Sequence, residues 1–359
     1  MTKPRARQLG IPFEGRPGPN NGITDVAGVT VGYTTLIDGD SIRTGVTIIH
    51  PRGKETHDPV FAGTFAFNGN GEMAGAAWVE EGGFLEGPIG ITNTHSLGTV
   101  RDTIIRWQAE RGAMFQKWSI PLVAETADGW LNDMNGFHVQ PQHVLAALES
   151  AAAGPVAEGN VGGGTGMICY EYKGGTGTSS RKLPDNLGGW TVAALVQANF
   201  GRRFQLTIAG VPVGKHLKDD ALFTKGENPF QQEQGSLIVV LATDAPLMPH
   251  QLKRLARRGS IGMARTGSLA GNGSGDIFLA FSTANQQSAH GDESGLAIVS
   301  ALSNDHIDPL LYACAYATEE AIINSMIAAE TMTGKDGLTV KAIPHDELME
   351  VLKRYNRAQ

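Results

Sequence analysis

Ser236 stands at an abrupt junction. The residues before it, Lys215 to Gly235 (KHLKDDALFTKGENPFQQEQG), are polar, include Gly226, Asn228 and Pro229, and show little periodicity. Such a stretch reads as an exposed, flexible connection that is easily nicked. Ser236 then opens a strongly apolar run to Ala242, which reads as a buried strand. If the Gly235–Ser236 bond were cut, Ser236 would be an N-terminal serine at the head of a core strand. Its α-amine, with an ordinary pKa of about 7.7–8.0, could then act as base for its own hydroxyl. Glycine on the upstream side leaves the carbonyl unhindered for attack by that hydroxyl. The plainer reading is a Gly-Ser turn before a strand, and spacing alone does not choose between the two.

Four glycine-rich or polar patches lie at the ends of predicted strands: Asn68 to Glu72, Gly162 to Gly166, Gly174 to Gly177 and Gly271 to Asp276. Glycine lets a backbone approach a ligand closely or present bare N–H donors, so such loops could build an oxyanion hole. Any one of them could be an ordinary turn; four on one chain favour a site. The common signatures of phosphate-binding loops, zinc hydrolases and nucleophile elbows are absent. Gly69, Gly71 and Ala74 satisfy a loose G-x-G-x-x-A, but no acidic residue ends a second strand about 20 residues on, as dinucleotide binding requires. The histidines show no metal-ligand spacing, and neither a metal nor an organic cofactor is expected.

The elements that would position these residues can be read from the apolar pattern. Runs bounded by glycine predict strands at Val46–Ile49, Val60–Phe67, Ile89–Thr92, Leu122–Glu125, Met167–Tyr172, Leu206–Ile208, Leu237–Ala242 and Ile277–Phe281. Helices are predicted near Thr99, from Pro141 to before Gly154, from Pro249 to Gly259, from Asp308 to about Glu330, and around Leu348, Val351, Leu352 and Tyr355. Strands come in groups with helices scattered between them, unlike the regular alternation of a doubly wound sheet. Two packed sheets with helices outside fit better. No composition shift marks a boundary, so residues 1–359 are expected to form one domain.

The chain has 359 residues, 41% of them hydrophobic, which suffices for a large core and excludes a disordered chain. A net charge of −7 argues against a nucleic-acid partner. The densest basic run, Lys253, Arg254, Arg257 and Arg258, reads as the last turn of one helix. Cys169 and Cys314 sit far apart in apolar runs and read as buried thiols. Met1 to Gly10 is basic without an apolar stretch, and no run reaches the roughly 18 apolar residues of a membrane span. No signal peptide and no membrane partner are expected, and the default location is the cytoplasm.

Nearly the whole chain, from Ile11 to Tyr355, resembles the self-processing serine aminopeptidases of peptidase family S58, which include the L-aminopeptidase/D-amidase-esterase and the β-aminopeptidases. The resemblance is carried by ITDVAGVTVG (23–32), FNGNGEMAG (67–75), ITNTHSLG (91–98), VAETADGWLND (123–133), GGGTGM (162–167), LVQANFG (195–201), LTIAGVPVG (206–214), GSLIVVLATDAPLMPHQLKRLARR (235–258) and NGSGDIFLAFSTAN (272–285). It implies a four-layer α-β-β-α sandwich like that of the N-terminal-nucleophile hydrolases, with different connectivity. It also implies autocatalytic cleavage at Gly235–Ser236 into a larger chain, 1–235, and a smaller one, 236–359, that stay associated as a homotetramer of processed protomers. The expected substrates are short peptides, amides or esters.

The resemblance assigns Ser236 as nucleophile, with Ser274 and Asp276 assisting it. In the β-aminopeptidases the acidic position is Glu, so Asp276 is a shorter substitute. Asn199 matches an oxyanion-hole asparagine, and a backbone N–H from Gly162, Gly163 or Gly164 is the expected second donor. Glu125 matches a carboxylate that would hold the substrate's α-ammonium. Some members carry a tyrosine where this chain has Ala127, and nearby Trp130 is a candidate to reshape the pocket. An acyltransferase of the ornithine-acetyltransferase class remains an alternative, although those enzymes use an N-terminal threonine. So does a non-catalytic binding protein in which Ser236 is a turn residue.

Overall fold

The computed structural model describes residues 4–218, 220–223 and 233–358. Residues 219 and 224–232 of the Lys215–Gly235 connection therefore lie outside the described residues. At the start of the connection, Val213–Lys215 form a 3-10 turn and Leu217 is buried.

The chain begins with strands β1 (Thr30–Asp38), β2 (Ile42–His50), β3 (Val60–Gly69) and β4 (Met73–Ala74), then helix α1 (Ala76–Gly82), β5 (Phe84–Leu85) and β6 (Ile89–Asn93). Next come α2 (Leu97–Glu110), β7 (Leu122–Thr126), α3 (Pro141–Ser150) and the short pair β8 (Ile168–Cys169) and β9 (Tyr172–Lys173). β10 (Gly175–Lys182), β11 (Thr191–Asn199), β12 (Gln234–Thr243), α4 (Pro249–Arg265), β13 (Gly273–Ser282) and α5 (Asp308–Ile327) follow. β14 (Met332–Thr333), β15 (Thr339–Val340) and α6 (His345–Arg354) close the chain.

One sheet has the order β1-β2-β6-β7-β4 and the other β10-β11-β12-β13-β3-β5. Their central strands are apolar on both faces because both faces are covered. Along β12, Leu237, Val239 and Leu241 pack against the helix side with residues of α4 and α5. Ile238, Val240 and Ala242 face the other sheet, against Ile89, Ile91 and Leu122. On the far side of the first sheet, Val46, Ile48 and Val123 pack on α2 and α3. Helices, sheet, sheet and helices thus make four layers with a core in each gap, the architecture expected.

Several elements differ from expectation. The Met167–Tyr172 run is a tight hairpin, because Tyr170 and Glu171 take left-handed backbone (φ 50 and 62) and turn the chain back. Leu206–Ile208 forms only an isolated bridge, Ile208 to Val211. α4 runs through Gly259 to Arg265, so its basic run lies in mid-helix, not in the last turn. A Cβ at Gly259 would meet Phe278 Cδ1 at 2.5 Å, so the glycine serves close packing of the helix on β13. β1 and the adjacent β10 and β11 were not expected as strands. β10 (GTGTSSRK) is polar in sequence, yet it is buried to Arg181, with Thr178 and Ser179 donating to the carbonyls of Ala194 and Ala317.

Candidate active site

Ser236 is the third residue of β12. It registers with Asn199 on antiparallel β11 and with Gly275 on parallel β13. Registered side chains share a face of a sheet, so Ser236 and Asn199 both point toward the gap between the sheets. Asn199 Nδ2 lies 3.4 Å from Ser236 Oγ and donates to the Ala127 carbonyl at 2.8 Å. The Ile168 N–H donates to Asn199 Oδ1 at 2.9 Å. The amide is thereby fixed from both ends, with its N–H side toward the serine. Any residue at 127 could supply that carbonyl, which is why the alanine does not disturb the anchor.

Ser274 and Asp276 flank Gly275 on β13, and Ser274 Oγ donates to Asp276 Oδ1 at 2.9 Å. Both are wholly buried. Strand alternation places them on the helix side with Leu237 and Phe278, the face opposite the Ser236 side chain. They therefore flank the Ser236 backbone rather than its hydroxyl. Burial pushes the Asp276 carboxyl up to about 7, opposed by the Ser274 hydrogen bond and reinforced by the negative charge of Glu233. Asp276 Oδ2 has no hydrogen-bond partner among the described residues.

Glu125 ends the inner part of β7 and is only 4% exposed. Its carboxylate accepts from the Glu72 N–H at 2.8 Å and from the Thr94 hydroxyl. Burial raises its pKa, with those two donors pulling the other way. No cation is paired with it among the described residues.

Ser236, Asn199, Glu125 and Ala127 open onto one cavity of about 1150 Å³. The Asn68–Glu72 loop and residues Asn272 and Gly273 also line it, so two of the four glycine patches do border the site. Gly162, Gly163 and Gly164 do not, which corrects the expectation of an oxyanion donor there. They form a buried 3-10 turn between the sheets, and their N–H groups donate to Thr35 Oγ1, Thr47 Oγ1 and the Val161 carbonyl. A Cβ on Gly163 would meet the Ile91 carbonyl oxygen at 2.7 Å, so these glycines serve close packing. Trp130 lines the cavity mouth, its ring 4.7 Å from that of Phe223.

Sequence reasoning missed three features. Thr94 orients Glu125 through a hydroxyl that nothing in its neighbourhood singles out. Arg202 lines the cavity just beyond Asn199, where one charged residue in a loop carries no signal. Asp128 is buried beside Ala127, accepts from Asn132 Nδ2 at 3.0 Å, and has its pKa pushed up to about 7 by burial. Met134 and Ile168 add apolar wall to the same space. No group of residues that could hold a metal ion is present among the described residues. Nor is any helix among them long and apolar enough to cross a membrane.

Comparison with known proteins places this geometry. The family model for peptidase family S58 matches residues 21–340. A beta-peptidyl aminopeptidase BapA from Sphingosinicella microcystinivorans is 52% identical, covering 99% of this chain and 93% of the relative. Its counterpart from Sphingosinicella xenopeptidilytica is 47% identical, covering 98% and 92%. The L-aminopeptidase D-Ala-esterase/amidase of Ochrobactrum anthropi, described as a prototype of the serine aminopeptidases and a variant of the Ntn hydrolase fold, superposes with a TM-score of 0.90. It is 50% identical, with 99% of this chain and 100% of that one covered. A Burkholderia sp. beta-aminopeptidase gives a TM-score of 0.89 at 47% identity, covering 98% and 99%.

Proposed function

The chain belongs to peptidase family S58 and is a serine aminopeptidase with the Ntn hydrolase fold, and we propose that Ser236 is its nucleophile, first against its own chain and then against substrate. In the intact chain Ser236 Oγ attacks the Gly235 carbonyl, the peptide C–N bond breaks, and the acyl group passes to oxygen. Water then hydrolyses that ester, leaving a Gly235 carboxylate and a free Ser236 α-amine. Asn199 Nδ2 is aimed at the space where the oxyanion forms, and one such donor supplies roughly 3–4 kcal/mol.

In the processed enzyme the α-amine takes the Ser236 hydroxyl proton as Oγ attacks the substrate carbonyl. The proton passes to the leaving amine, and water resolves the acyl-enzyme. Ser274 and Asp276, placed against the Ser236 backbone, hold and tune that amine rather than touching Oγ. Glu125 holds the substrate's α-ammonium: it is buried, oriented by neutral donors and open to the cavity, which makes the enzyme exo-acting. The named relatives extend the candidate substrates to short peptides and amides with a β-amino or D-configured N-terminal residue. The reading extends to a cytoplasmic homotetramer of processed protomers, which sedimentation of the purified enzyme would test.

The observation that carries the reading is the junction of Ser236, Asn199 and the buried Ser274–Asp276 pair at adjacent strand ends. Its test is hydrolysis of aminoacyl p-nitroanilides. Ser236→Ala should lose at least three orders of magnitude in kcat/KM. A variant as active as wild type would remove Ser236 from the chemistry.

A further inference from the structure

The cavity is electrically two-sided. On one side, the position a Cβ would take on Gly71 lies 3.2 Å from Glu125 Oε1 and 3.3 Å from Gly275 Cα, so Glu125 sits over β13. Ser236 is on the next strand, β12, and Asn199 on the one after, β11. Arg202, three residues beyond Asn199 at the end of β11, lines the same cavity. It is the one cationic side chain lining the cavity among the described residues, where Glu72, Glu125 and Glu171 supply the carboxylates.

Arg202 is also held in place. Its backbone N–H donates to Gln205 Oε1 at 2.8 Å, and its guanidinium lies 5.5 Å from the centre of the Phe223 ring, which itself packs on Trp130. A guanidinium resting on an aromatic face keeps its fork of donors in a defined plane and pairs well with a carboxylate.

Strands lie about 4.8 Å apart, so β13, β12 and β11 span roughly 10 Å across the site. An extended peptide advances about 3.3–3.6 Å per residue. With its ammonium at Glu125 and its scissile carbonyl at Ser236, a substrate would bring a carboxylate one or two residues beyond the scissile bond to the Arg202 side.

We propose that Arg202 is a specificity-determining residue that recognises the free C-terminal carboxylate of a short peptide, so that the enzyme favours di- and tripeptides over longer chains, C-terminal amides and anilides. This inference rests on the aminopeptidase reading above. Glu125 and Arg202 would then measure a peptide from its two charged ends, one on each side of Ser236.

The test compares a tripeptide acid with its C-terminal amide, alongside the p-nitroanilide of the same N-terminal residue, on the processed enzyme. The readout is the ratio of kcat/KM for acid over amide within each protein. Wild type should favour the acid by roughly 10- to 100-fold, mostly through KM, as expected for a charge-assisted hydrogen bond. In Arg202→Gln the ratio should fall to near one, and Arg202→Lys should restore part of it. Raising the ionic strength should erode the wild-type ratio. A wild-type ratio near one, with the anilide hydrolysed, would overturn the role of Arg202 while leaving the aminopeptidase reading intact. So would an Arg202→Gln variant that slows acid and amide equally, which a purely structural contact with Phe223 would produce. Failure to hydrolyse all three substrates would instead sink the underlying reading.

Discussion

Two buried carboxylates in this protein are treated in opposite ways. Glu320, on α5, is fully buried and wrapped in cations: Arg181 lies at 2.8 Å, Arg7 at 3.0 Å, and Asn21 Nδ2 donates at 2.6 Å. Glu125 is nearly as buried but, among the described residues, receives only a backbone N–H and a hydroxyl. The first arrangement is closed. It ties the N-terminal segment and β10 to α5, and its charges are spent on one another. The second orients a carboxylate and leaves its countercharge to be supplied from the cavity. A buried acid with neutral donors and an open face is thus a better marker of a binding site here than burial or acidity alone.

The contrast can be broken most forcefully at its structural end. Glu320→Gln leaves the buried Arg181 and the partly exposed Arg7 without their countercharge, and should cost roughly 3–5 kcal/mol in denaturant-induced unfolding. The folded fraction should hydrolyse substrate as wild type does. If activity per folded molecule fell as well, the two carboxylates would not be separable in the way described.

At the site itself, Asn199→Ala should reduce kcat by roughly 10²–10³, about 3–4 kcal/mol, with a smaller change in KM. The direction of the KM effect matters, because an oxyanion donor acts in the transition state. A loss confined to KM would reassign Asn199 to ground-state binding.

Glu125→Gln should lower kcat/KM roughly 10- to 100-fold for substrates with a free α-amine, about 1.5–3 kcal/mol. Its thermal stability should hold or rise, since an uncompensated buried charge is removed. That sign is opposite to the one expected at Glu320, and a clear fall in melting temperature would erase the distinction.

A further test concerns Asp276, whose effect falls on stability and not on turnover. Its folded pKa of about 7 lies well above the ordinary value of about 3.9 in an unfolded chain. The folded state therefore prefers the neutral acid. The resulting stability is fully present below about pH 4 and is lost as pH rises through about 7. In an uncleaved Ser236→Ala background, Asp276→Asn should remove this dependence and be the more stable of the two proteins at pH 8. Urea titrations at pH 4 and pH 8 would show the gap open, or show that it is absent.

Much of the fold was legible because β12 and β13 are buried on both faces and so read as unbroken apolar runs. β10 was not, since its threonines and serines are buried only by virtue of partners on β11 and α5. Gly177 lets α5 lie against that strand, as a Cβ there would sit 2.0 Å from the Ala321 carbonyl oxygen. Such a long-range contact leaves no local pattern. The same cause misled the reading of Gly162–Gly164 and Gly259. Glycine in sequence signals close approach without saying to what, and here the answer was another layer of the protein. Ser236 was legible from the change of composition around it. The pairing of Asn199 with Ser236 depends on strand register, and the resemblance supplied it where spacing could not.

The central claim is that Ser236 becomes an N-terminal residue. Intact mass of the purified protein under denaturing conditions tests it most directly. Cutting the Gly235–Ser236 bond divides the 359 residues into 235 and 124, or about 25 and 13 kDa of the 38.0 kDa total. The account predicts those two species, and a single 38.0 kDa species when Ser236 is alanine. An active wild-type enzyme that remains one uncut chain would contradict it.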